Sequence, residues 1–113
     1  MRARRTREDH IISMRQHAVV LAKGVLSGER PILDGCLWLD ALRLEIGVED
    51  SDPDFSVFAM ISSQIDSLPI GAVRNSWTSE ALAEIEPQIQ SATAWAAPLA
   101  MPACQSVVNR FGA

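Results

Sequence analysis

Histidine and cysteine, on which much catalytic and metal chemistry depends, are scarce in this 113-residue chain: there are two of each. His10 and His17 lie two helical turns apart. At about 1.5 Å rise per residue that is roughly 10 Å, too far to share one metal ion. Cys36 and Cys104 sit in the apolar contexts "GCLWL" and "PACQSVV". There a free thiol behaves as a small hydrophobe with a raised pKa, and a disulfide would require an oxidising compartment. No G-x-G-x-x-G and no P-loop occurs. No apolar run approaches the ~20 residues that span a bilayer. The start, "MRARRTREDH", has the arginines of a signal peptide, but Arg15, His17 and Lys23 interrupt the apolar stretch behind it. These absences argue against a catalytic nucleophile, a metal, a cofactor and a membrane, and place the chain in the cytoplasm.

Charge is present but unevenly placed. Ten Lys and Arg face fourteen Asp and Glu, yet Arg2, Arg4, Arg5 and Arg7 all fall in the first seven residues. Residues 1–7 read as a basic flexible arm. Residues 8–113 read as a single domain, with six basic against fourteen acidic residues and a net charge of −8. A small acidic body disfavours nucleic acid and speeds encounter with basic proteins. Contact between the arm and nucleic acid is a weaker alternative.

Hydrophobic spacing is helical throughout. Thr6-Arg7-Glu8-Asp9 resembles a capping box, and Ile11, Met14, Ala18, Leu21 and Val25 follow at steps of three and four until Ser27-Gly28. Pro31 opens a second helix. It carries two stripes, Ile32-Cys36-Leu39-Leu42-Ile46 and Leu33-Leu37-Leu44, which predicts a central position, with Gly47 ending it. Asp52-Pro53 starts a third helix with Phe55, Phe58, Ile61 or Ser62, Ile65 and Leu68 inward. Pro69 and Gly71 end it. Thr78 caps a fourth, with Trp77 set to staple onto Leu82 and with Leu82, Ile85, Ile89, Ala92 and Ala96 on one face. Pro87 kinks or splits it, and Pro98 and Pro102 set off a short last helix with Cys104, Val107, Val108 and Phe111. The expected fold is all-α: a compact bundle of four main helices plus a short C-terminal helix.

Two regions are candidates for function. The first is the acidic run Glu49, Asp50, Asp52 and Asp54. Asp50, Asp52, Asp54 and Ser56 imitate the alternate ligands of a calcium loop, but Phe55 stands where the turn glycine belongs and Ile61 where the closing glutamate belongs. Part of this run serves the helix dipole, and the remainder suits a basic partner. The second is the corner "QIDSLPIGAVRNSW", residues 64–77. Leu68 and Ile70 should face the core beside Pro69. Arg74 should meet Asp66 or the last carbonyls of the third helix. Trp38, Arg74 and Trp77 are of the residue types that dominate interface energetics. Gln64, Asp66 and Arg74 form the alternative, a polar pocket for a small molecule.

The stretches "DGCLWLDALR" (Asp34 to Arg43) and "ISSQIDSLPIGAVRNSW" (Ile61 to Trp77) resemble a family of small, uncharacterised bacterial helical proteins. The most specific part is D-x-L-P-x-G-x-x-R-x-x-W over Asp66 to Trp77, and the likeness extends over roughly Val25 to Trp95. Gln64 and Ile65 depart from the family's Glu and Thr. The resemblance implies a helical fold and no named activity. By size and charge the chain is similar to immunity proteins, which neutralise bacterial toxins. The reading is therefore a non-enzymatic protein-binding module whose partner is basic, such as a nuclease toxin domain, with a homo-oligomeric role as another alternative.

Overall fold

Thr6 sets the first helix by closing a capping box with Asp9. The Asp9 backbone N–H donates to Thr6 Oγ1 at 3.0 Å, and the Asp9 side chain takes the Thr6 N–H in return. In a computed structural model that describes residues 6–112, α1 spans Arg7–Ser27. Arg7 thus opens the helix and Thr6 caps it; residues 1–5 of the expected basic arm lie outside the described residues. Gly28 ends α1 in the left-handed conformation, φ +83°.

α2 spans Ile32–Leu42 and tightens into a 3-10 turn, Arg43–Glu45, before Gly47 reverses the chain at φ +71°. α3 spans Pro53–Gln64, with Asp52 as its cap: the Phe55 N–H donates to Asp52 Oδ2 at 3.2 Å. A second 3-10 segment, Gly71–Ser76, turns the corner into α4, Ser79–Phe111, capped by Thr78. Among the described residues every regular element is helical. The architecture is an all-α bundle of four main helices with short extra helical turns, and α2 packs against the other three. No described helix is long and apolar enough to cross a membrane.

The core follows the periodicity closely. Ala18, Leu21 and Val25 of α1 meet Leu33, Cys36, Leu39 and Leu42 of α2. Phe55, Phe58 and Ile61 of α3 complete it with Ala96, Ala100, Cys104 and Val107 of α4. Phe55 and Phe58 pack edge to face at 5.2 Å, a favoured aromatic geometry. Pro69 is fully buried, whereas Leu68 and Ile70 on either side of it are only half-buried.

α3 ends at Gln64, short of the expected stop at Pro69 and Gly71, and two further outcomes differ from expectation. Leu44, placed on the second inward stripe of α2, is 78% exposed. A 3-10 turn advances about 120° per residue against 100° in an α-helix, which carries Leu44 off the second stripe, whereas Ile46, last on the first stripe, remains fully buried. The second concerns Pro98 and Pro102, which set off no separate last helix, while of the two readings at Pro87 the split does not occur; the Cys104–Phe111 stretch is helical and continuous with Ser79. Each proline removes the N–H that would bind the carbonyl four residues back, on Ala83, Ala94 and Pro98. Those residues and the prolines themselves are all exposed, so water can reach the freed carbonyls. A 33-residue helix is about 50 Å long, which matches the 54 Å long axis of the molecule.

Candidate functional site

The acidic run divides into an inner and an outer half. Asp52 is only 8% exposed. Arg110, near the end of α4, donates from Nη2 to Asp52 Oδ1 at 2.7 Å and from Nη1 to Asp52 Oδ2 at 3.0 Å. The same Nη1 reaches Asp54 Oδ2 at 2.7 Å, and Ser106 Oγ donates to that oxygen at 2.6 Å. The hydrogen bonds from Arg110 hold the Asp52 carboxyl below its usual range, against the opposing effect of burial. Arg110 also lies over the Phe111 ring, as does Arg15, each guanidinium 4.9 Å from the centroid. Arg15 Nε in turn donates to the Ile46 carbonyl at 2.8 Å. This cluster ties the start of α3 to the end of α4 and to α1. Asp52 and Asp54 are thereby engaged within the fold, which leaves Glu49 and Asp50, both exposed, as the carboxylates facing solvent.

Close in sequence to these acids is a feature of which the residue types had marked only Trp38. Trp38 (51% exposed), Ala41 and Leu44 recur every third residue along α2 and its 3-10 extension, and all three are exposed. The chain passes directly from this ridge through Glu45 to Glu49 and Asp50. Glu45 is paired with His10, whose Nε2 lies 3.0 Å from Glu45 Oε1. Trp38 was marked in the sequence by residue type, whereas nothing in the sequence marked Leu44 as exposed.

The corner is assembled differently from expectation. Arg74 pairs with neither Asp66 nor the end of α3. It lines a cavity of about 450 Å³ together with Asp34 from the start of α2 and Thr93 from α4. Gln64 and Asp66 are exposed and take no part in the lining. Trp77 is 37% exposed.

Burial governs the two thiols. It pushes Cys104 up to about 11 and Cys36 up to about 12, the latter with a further push from Cys104. Neither has the electropositive, accessible setting that a nucleophilic thiolate needs. Among the described residues no three His, Cys, Asp or Glu side chains gather as a metal site. Comparison with protein-family models, with curated proteins and with solved structures gives no match to this chain.

Proposed function

We propose that the chain is an acidic protein-binding module that occludes a basic partner, most concretely an immunity protein that neutralises a toxin domain such as a nuclease. The observation that supports this reading is the exposed ridge Trp38-Ala41-Leu44, followed by the exposed carboxylates Glu49 and Asp50. An exposed tryptophan is the kind of anchor that carries much of an interface's energy, and charge around it sets encounter rate and register. Outside the first seven residues the sequence carries a net charge of −8, a sign that attracts basic surfaces. Asp52 and Asp54, bound to Arg110, support the loop that presents Glu49 and Asp50 and do not themselves meet the partner.

The test is affinity capture from a lysate of the source cell, using the full chain and two variants. One basic protein retained in stoichiometric amount by the wild type should be lost with Trp38→Ala/Leu44→Ser and kept with Trp95→Ala, which removes an exposed tryptophan from α4. Retention that is indifferent to the ridge, or no retained protein at all, would overturn the reading.

A further inference from the structure

The two stretches that stand out in the sequence, one beginning at Asp34 and the other ending at Trp77, meet in space. Asp34 Oδ1 lies against Gly71, where an added Cβ would stand 3.2 Å from it, and Gly71 holds φ +71°. Glycine is favoured there both by backbone conformation and by this close approach. Around this contact is the cavity of about 450 Å³, with Leu33, Ile70 and Ile89 among its apolar walls and Asp34, Arg74 and Thr93 as its charged and hydroxyl side chains. Small-molecule sites typically combine an apolar cleft of roughly 300–1,000 Å³ with a few convergent polar groups.

The state of those polar groups indicates the occupant. The Asp34 charge is already matched: Arg30 Nη1 donates to Asp34 Oδ2 at 2.7 Å. Thr93 uses its hydroxyl hydrogen on the Ile89 carbonyl at 2.8 Å, so it can only accept from a ligand. Arg74, in contrast, is half-buried at the cavity and has no ion-pair partner among the described residues. Arg74 is therefore the charged side chain of the lining that no described carboxylate matches, and it shares that lining with Leu33, Ile70 and Ile89. We propose that this cavity binds a small organic acid with an apolar body, its carboxylate on Arg74 and its body against Leu33, Ile70 and Ile89. A planar guanidinium can bind a carboxylate through two parallel hydrogen bonds, which fixes orientation as well as strength.

The purified full chain tests this without any protein partner, so failure here and failure of the protein-binding reading are separate results. Three probes share one tail and differ in head group: octanoate, octanol and octylamine. Calorimetry gives affinity, and backbone amide NMR gives location. Octanoate should bind more tightly than the other two and shift the signals of residues 70–74 and 89–93. Arg74→Gln, checked for folding by circular dichroism, should weaken octanoate by on the order of tenfold or more while moving octanol by about twofold at most. Ile89→Trp should block all three by filling the cavity. Failure of octanoate to bind at millimolar concentration, binding of octanol equal to that of octanoate, shifts confined to other residues, or indifference to Arg74→Gln would each overturn the proposal.

Discussion

Arg110 is the residue on which the acidic end of the molecule depends. Removing its side chain leaves the buried Asp52 carboxylate with only backbone N–H partners from the first turn of α3, Phe55 and Asp54. A lost hydrogen bond to a charged group costs about 1.5–3 kcal/mol, and water reaching the exposed Arg110 places the effect toward the low end. Arg110→Ala should therefore lower urea stability by about 1–2 kcal/mol, whereas Asp50→Ala should leave it nearly unchanged. The pH dependence has a definite sign. Because the folded-state pKa of Asp52 lies below its ordinary value of 3.8, its contribution is present above that value. It is lost as pH falls through the folded value. Stability should drop on acidification below about pH 4, and the Asp52→Asn variant should show a shallower drop. The thiols act in the opposite range. A thiol raised from 9.0 to about 12, as for Cys36, stabilises the fold below pH 9.0 and loses that contribution as pH climbs toward 12. Native Cys36 and Cys104 should also resist thiol-labelling reagents until the chain unfolds. Asp52 as a helix cap was legible in the sequence, since a cap is defined by its immediate neighbours. Its pairing with Arg110 was not, because 58 residues separate them and an ion pair across the fold leaves no periodic trace.

Helix α2 shows how closely the elements approach. Gly35 is buried, and a Cβ on it would overlap Val25 Cγ2 of α1. Alanine is the better helix former by about 1 kcal/mol, yet Gly35→Ala must push against a stiff β-branched neighbour in a packed core. A net loss of about 1–2 kcal/mol is expected, and Val25→Ala in the same chain should recover part of it. Chemical denaturation of the two single variants and the double variant gives the coupling. Helix α4 makes the converse case. Its three prolines read as breakers, and they would be breakers on a buried face, where a freed carbonyl finds no water. Here they share the exposed side. Replacing Pro98 or Pro102 with alanine should restore a backbone hydrogen bond and raise stability by about 1 kcal/mol or more. Helix starts and the inward stripes of α1 and α3 were legible because caps and 3.6-residue spacing are local properties. Leu44 was misplaced because the α-to-3-10 change at Arg43 alters the phase without any proline or glycine to announce it.

The whole molecule presents two kinds of surface beside one core. Trp38, Ala41 and Leu44 offer apolar area close in sequence to Glu49 and Asp50, while Arg74 lines a cavity formed by α2, the Gly71 corner and α4. The cavity was only half legible: the corner motif named Arg74, but its companions come from Asp34 and Thr93, which lie 40 and 19 residues away in the chain. Asp66 and Gln64, its neighbours in sequence, face solvent. For the central claim, that acids outside the Arg110 cluster meet a basic partner, the most direct measurement is affinity capture at low and high salt with Glu49→Lys/Asp50→Lys beside the wild type. The expected result is one basic protein held by the wild type at low salt, released as salt rises, and absent from the charge-reversed chain. Capture that survives both high salt and charge reversal would contradict it.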